Sequence, residues 1–194
     1  MILLASKSAS RRAMLEAADI AFTAQPADID ERALEAALGE APAPEIALAL
    51  AREKALAVSQ ANPGELVLGS DSLVVCGDMR FDKPADREAA AAHLRFFSGK
   101  VMHLHSAAAL ARGGEVLWSE AAEARLHVTP LSDAFIEAYL SAEWPEVAGC
   151  VGVFRIEGRG VQIFEEIAGD YFTILGMPLL KVQAALRSMG VLGQ

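Results

Sequence analysis

Cysteine is scarce in this chain. Only Cys76 and Cys150 occur, far apart and with no Cys-x-x-Cys pair, so neither a disulfide framework nor a thiolate zinc site fits. Two free thiols in a reducing compartment are expected, with one long-range bridge as the alternative. Positive charge is also in short supply: 17 Lys and Arg stand against 26 Asp and Glu, for a net charge of -9. Proteins that grip a nucleic-acid backbone carry basic faces, so nucleic acid is not an expected partner. A small anionic substrate stays open, because it feels only local charges. No apolar run reaches the about 18 residues of a membrane-spanning helix. The opening MILLASKSASRR has too short an apolar stretch, with its basic residues on the wrong side, for a secretory signal. The expectation is a cytoplasmic protein. Internal repeats, low-complexity linkers and a clean domain boundary are missing too. The 194 residues therefore read as one domain spanning 1–194, with two small lobes possible and a lobe change near Ser98 or Ser132. Ser98-Gly99-Lys100 is not a phosphate-binding P-loop, because the first glycine and the final Ser/Thr of that motif are absent.

The stretch that is present and most demanding is Leu66–Asp86, LVLGSDSLVVCGDMRFDKPAD. Leu66–Leu68 and Leu73–Val75 read as two buried strand pieces separated at Gly69-Ser70. Asp71 falls between them. A carboxylate in such a run is unfavourable unless it is paired or binds a cation; the alternative is an Asp that caps a turn. Gly77-Asp78 turns the chain and Lys83 follows, placed by a hairpin return or simply solvated.

Met1–Ala5 reads as a strand that runs into Ser6-Lys7-Ser8-Ala9-Ser10-Arg11-Arg12, with helix continuing over Ala13–Ala18. A serine-rich helix start favours an anion, and the Arg11 fork suits phosphate; serines also cap helices for structural reasons alone. Ile20–Ala27 is extended. Asp28-Ile29-Asp30-Glu31 is either a solvated helix start or a source of a metal ligand or base. Ala36–Pro44 reads as loop, and Glu45–Ala61 as a helix with Lys54 at the margin of its apolar face, to snorkel or to do chemistry. Further along come a helix over Arg87–Phe97, a strand over Val101–Ala111 and a turn at Gly113-Gly114. A strand over Val116–Val128 and a helix over Pro130–Ser141 follow, then a strand over Val161–Ile167 and a last helix over Leu179–Met189. His103 and His105 share a strand face, so a metal pair is conceivable, but no third ligand is evident. Strands and helices that do not strictly alternate predict an α/β or α+β fold with a mixed sheet.

Seven pieces, in order and nearly end to end, resemble the Maf family of nucleotide pyrophosphatases. They are LLASKSASRRAML, DIDE, ALALAREKA, VLGSDSLVV with DKP, SGKVMHLHSA, GCVGVFRIEGRG and GDYFTILGMPL. The resemblance implies an elongated mixed sheet flanked by helices, in two lobes with a central cleft. It also implies a likeness to the inosine-triphosphatase group and a homodimer. The implied activity is removal of pyrophosphate from a nucleoside triphosphate. Asp71 then looks like the catalytic acid, with Glu31, Lys54 and Lys83 around it. Ser6 and Arg11 look like phosphate holders. Asp71 and Glu31 would hold Mg²⁺, Mn²⁺ or Co²⁺, since hard oxygen ligands suit such ions. Water activated at Asp71 would attack the α-phosphorus while Lys54, Lys83 and Arg11 hold the departing charge.

Ser10, Ser72 and Glu157 match the family's specificity positions. Relatives of the dTTP/UTP branch usually carry Pro-Arg at Ala9-Ser10, Thr at Ser72 and Gln at Glu157. A carboxylate accepts from a guanine-type edge, whose N1–H and 2-amino group both donate, so Glu157 leans toward 7-methyl-GTP, unless it merely faces water at a turn. Ser10 departs from both branches. A dTTP/UTP pyrophosphatase, a non-catalytic nucleotide-binding regulator of septum formation, and an inosine/xanthosine triphosphatase are the rival readings. The last lacks the SASRR start.

Overall fold

A computed structural model describes residues 1–193. Its seven-stranded mixed sheet has the order β2-β1-β3-β5-β6-β7, with β4 paired to β3. The strands are β1 (Ile2–Leu4), β2 (Phe22–Ala24), β3 (Val67–Cys76), β4 (Met79–Phe81), β5 (Val101–Arg112), β6 (Glu115–Val128) and β7 (Phe164–Ala168). The helices are α1 (Ala9–Ala17), α2 (Glu31–Leu38), α3 (Ala43–Ala61), α4 (Arg87–Phe97), α5 (Asp133–Glu143), α6 (Tyr171–Ile174) and α7 (Leu179–Ser188). Strand β1 runs parallel to β2 and β3, whereas β4 is antiparallel to β3 and β7 to β6.

Helix starts follow side-chain capping. Ser8, Asp30, Asp86 and Ser132 each accept a backbone N–H from the first turn of α1, α2, α4 and α5, which satisfies donors a helix end leaves unpaired. The Ser8 cap starts the first helix at Ala9, within the serine-rich stretch. The expected loop over 36–44 is mostly helical instead: α2 continues to Leu38, and α3 begins at Ala43 with a proline in its first turn, a position proline tolerates. Residues 161–163 belong to a 3-10 turn, Arg159–Ile163, before β7 begins at Phe164.

The chain divides into two compact units. The first comprises Met1–Ser72, His105–Ala122 and Asp170–Gln194, the second Leu73–Leu104 and Glu123–Gly169. The changes fall inside β3, β5 and β6 or at Gly169, not at Ser98 or Ser132, so no loop composition marks them. In the first unit, Ile2, Leu4, Leu15, Leu66, Leu68, Leu110, Met177 and Leu186 pack as a core; each such side chain contributes about 1.5–3 kcal/mol by burial. In the second, Phe81 meets Phe97 edge-on at 4.7 Å, and Phe154 meets Phe164 in the same way at 4.7 Å. Both thiols are free, Cys76 being buried and Cys150 partly so. Among the described residues no helix is long and apolar enough to cross a membrane.

Candidate active site

Gly69 sets the site's geometry. It does not break the strand, since β3 is continuous from Val67 to Cys76. A Cβ at Gly69 would lie 2.2 Å from the Ala51 carbonyl oxygen and 2.6 Å from the Ala55 nitrogen of α3. Strand and helix therefore touch backbone to backbone, which only glycine allows. Lys54 sits between Ala51 and Ala55 on that helix. Asp71 is two residues beyond Gly69, on the same strand face.

The two charges meet. Lys54 Nζ donates to Asp71 Oδ1 at 2.6 Å, and their side chains are 11% and 10% exposed. The same ammonium lies 2.9 Å from Glu31 Oε1, whose side chain is 48% exposed. Lys54 thus does not snorkel to solvent, and Asp71 does not cap a turn. Glu31 opens α2 directly after its cap, Asp30, so the acidic run serves both as a helix start and as a source of one site carboxylate. Two acids share one ammonium, an arrangement that leaves excess negative charge.

Arg11 supplies the second cation. Although it is close to the start of α1, it is buried. Its Nε donates to the Gly176 carbonyl at 2.9 Å, Nη1 to Ser6 Oγ at 3.2 Å and Nη2 to Ser72 Oγ at 3.1 Å. Burial pulls its pKa down from the usual guanidinium value, while the charges of Asp71 and Glu31 oppose that shift; an arginine stays protonated regardless. A guanidinium has five N–H donors, so these three bonds leave one on each terminal nitrogen, a pair matched to two oxygens of a phosphate.

The residues expected to set specificity are placed as follows. The Ser10 hydroxyl donates to the Leu175 carbonyl at 2.6 Å, and that of Ser72 to the Gly176 carbonyl at 2.8 Å. Both turn toward the segment before α7. Glu157 lies in the second unit at an exposed turn. Lys83 is exposed in the same unit. Both act on the Cys150 thiol, Glu157 raising its pKa and Lys83 lowering it. Asp71, Glu31, Lys54, Ser6, Arg11, Ser10 and Ser72 are thus gathered in the first unit, and Lys83 with Glu157 in the second.

Several groups were not singled out from sequence. Ser70, Ser106 and Thr173 are fully buried. The Ser70 hydroxyl donates to the Ala107 carbonyl at 2.8 Å, and that of Ser106 to the Thr173 carbonyl at 2.8 Å. Asp170 caps α6 and accepts the Thr173 hydroxyl. The available signal was hydroxyls inside apolar strands, since buried polar groups find partners.

Asp71 and Glu31 offer hard oxygen donors. Each carboxylate has about four lone-pair sites and keeps acceptor capacity after bonding Lys54. They fit a small divalent cation held by two carboxylates plus substrate phosphates and water. Among the described residues no group of three or more His, Cys, Asp or Glu side chains could hold a metal ion, so a closed all-protein cage is not the fitting mode. His103 Nδ1 lies 2.6 Å from Glu123 Oε1.

Comparison with known proteins adds the following. The family model described as Maf-like protein matches residues 1–189. A nucleoside triphosphate pyrophosphatase of Rhodopseudomonas palustris (strain BisB18) is 47% identical over 98% of this chain and 95% of its own length. A 7-methyl-GTP pyrophosphatase of Mesorhizobium japonicum is 47% identical over 98% of this chain and 97% of its own. A solved nucleoside-triphosphatase / dITP/XTP pyrophosphatase from Mycobacterium abscessus aligns over 98% of this chain and 95% of that one. Its identity is 14% and its TM-score 0.39, too low to carry an argument.

Proposed function

The chain belongs to the Maf family, and on that premise we propose that it hydrolyses nucleoside triphosphates between the α and β phosphates, giving a monophosphate and pyrophosphate, with 7-methyl-GTP as preferred substrate. The observation that carries this reading is the convergence of Asp71 and Glu31 on Lys54, with buried Arg11 beside them. Carboxylates alone repel a polyphosphate: at 4 Å and an effective dielectric near 20, each like-charge contact costs about 4 kcal/mol. Lys54 and Arg11 offset that repulsion.

Asp71 orients a water and takes its proton, a role that a carboxylate held by a buried lysine is placed to perform. Lys54 keeps the two acids in register. Arg11 grips phosphate oxygens through its remaining N–H pair, with Ser6 holding one terminal nitrogen. Mg²⁺, Mn²⁺ or Co²⁺, held by Asp71 and Glu31, would supply Lewis-acid neutralisation of the phosphates. Relatives named 7-methyl-GTP pyrophosphatase and the acid at Glu157 support the choice of base. A homodimer in the cytoplasm, with no nucleic-acid partner, completes the reading.

The test is pyrophosphate release, coupled to inorganic pyrophosphatase and malachite green, on 7-methyl-GTP, dTTP, UTP, CTP and ITP with each metal. The highest kcat/KM is expected with 7-methyl-GTP. A preference for dTTP or UTP would move the base assignment to that branch, and no release with any nucleotide would favour a non-catalytic binder.

A further inference from the structure

Ser72 follows Asp71 directly, and its oxygen is surrounded by protein partners. A hydroxyl oxygen has three non-covalent directions: one proton and two lone pairs. Around Ser72 Oγ, Arg11 Nη2 donates at 3.1 Å, and the single Ser72 proton faces both the Gly176 carbonyl at 2.8 Å and Ser106 Oγ at 3.0 Å. Ser106 comes from β5, is fully buried, and also reaches the Thr173 carbonyl at 2.8 Å. The Gly176 carbonyl receives the Arg11 Nε bond as well. Gly176 has φ +105, and a Cβ there would lie 3.2 Å from Ser72 Oγ and 3.8 Å from Arg11 Nη2. One side of the guanidinium is thus clamped by a hydroxyl pair and a carbonyl whose residue tolerates no side chain without strain.

We infer that Ser106 is a positioning residue for Arg11: acting through Ser72, it fixes the angle at which the guanidinium presents its two remaining N–H groups to the phosphates of the substrate. This rests on the reading in which Arg11 holds phosphate. It follows that Ser72 influences substrate choice through the placement of Arg11 and not by touching the base. Buried hydroxyl pairs suit this task because they are short, have few rotamers, and lose a bond if either partner moves. Misplacing a binding group by about 1 Å is enough to lower turnover by up to about 100-fold.

The experiment compares wild type, Ser106→Ala, Ser106→Thr, Ser72→Ala, the Ser106→Ala/Ser72→Ala double variant and Arg11→Ala. It measures KM and kcat for the best nucleotide, the inhibition constant of inorganic triphosphate, and Tm. Ser106→Ala is expected to raise both KM and the inhibition constant about tenfold, with a smaller change in kcat. Ser106→Thr, which restores the hydroxyl, should recover most of the loss. The double variant should be no worse than either single one, as for residues acting in series. Unchanged triphosphate inhibition in Ser106→Ala, or losses that multiply in the double variant, would overturn the inference. If Ser106→Ala fails to fold, Ser106→Cys keeps the volume while weakening the bonds, and the same inhibition constant decides. Arg11→Ala separates the two layers. If it leaves triphosphate inhibition unchanged, the phosphate reading fails; if it is impaired while Ser106→Ala is normal, only the positioning role falls.

Discussion

Two ion pairs, one in each compact unit, look alike at first. Lys54 meets Asp71 at 2.6 Å with both side chains nearly covered. Arg155 meets Glu143 Oε2 through Nε at 3.0 Å and Nη2 at 2.9 Å, with Glu143 buried and Arg155 37% exposed. In the second pair both arginine bonds go to one acid, with the charges of Glu146 and Glu157 acting on Arg155 as well, and its arginine can reach water. Its acid closes α5 beside Tyr139, whose hydroxyl donates to the Val153 carbonyl. In the first, Lys54 serves two acids, and Arg11, on which both acids act, keeps unused donors. A cation that gives both its bonds to one buried acid marks a structural pair. Burial with surplus acid and surplus N–H groups marks a place where a ligand of mixed charge, a metal with phosphates, completes the set.

The widest separation of the two pairs comes from removing one carboxylate charge in each. Asp71→Asn is expected to lower pyrophosphate release by about 1,000-fold, in the range of a lost general base, while Tm changes by only a few degrees because Glu31 still partners Lys54. Near-normal turnover would make Asp71 a second Glu143. Glu143→Ala should do the reverse. Breaking a buried pair typically costs about 3–5 kcal/mol, and water access at Arg155 reduces this to about 2 kcal/mol. A lower urea midpoint, with kcat per folded molecule within about twofold of wild type, is the expected outcome. A large loss of turnover without loss of stability would put Arg155 and Glu143 in the active machinery.

How much of this was legible depends on the distance over which a residue finds its partner. Helix α4 was read end to end because its cap, Asp86, and its stop, Ser98-Gly99, are local. Asp71 and Lys54 stood out because a charge in an apolar segment demands a partner, even though neither segment says which. The acidic run at 28–31 stayed ambiguous because it does two jobs, capping α2 and supplying Glu31. The clamp on Arg11 was not legible. It depends on carbonyls at Leu175 and Gly176, far along the chain from Ser10, Arg11 and Ser72, and a carbonyl carries no sequence signal. The unit changes were missed because they fall within strands, where composition is uniform. The reason for Gly69 was not legible, because a close backbone approach and a turn call for the same residue.

The second unit also contains a histidine that departs from the paired pattern. His93 packs on Phe81 at 5.1 Å and Phe97 at 6.0 Å. Its Nδ1 is buried with no hydrogen-bond partner among the described residues. Burial lowers its pKa from 6.5, with Asp82 opposing. The unfolded chain therefore takes up the proton first. Stability is full above the unfolded value of about 6.5 and declines as the pH falls through the lower folded value. Urea midpoints from pH 8 to 5 should fall, and His93→Leu should flatten that fall. An unchanged slope in His93→Leu would assign the acid sensitivity to other groups.

The smallest effect tests the surroundings of Lys83 and Glu157 in the second unit. Burial raises the Cys150 thiol pKa, Glu157 and Glu143 raise it further, and Arg155 and Lys83 lower it. Because the thiolate is the reactive form, Cys150 should alkylate more slowly than an unfolded thiol at pH 7.5. Glu157→Gln should then speed iodoacetamide labelling of Cys150 by about twofold, and Lys83→Gln should slow it by a similar factor. Opposite signs would show that a negative and a positive side chain face the same thiol, giving this unit a mixed-charge surface of its own. Equal rates in both variants would leave Lys83 and Glu157 as solvated charges.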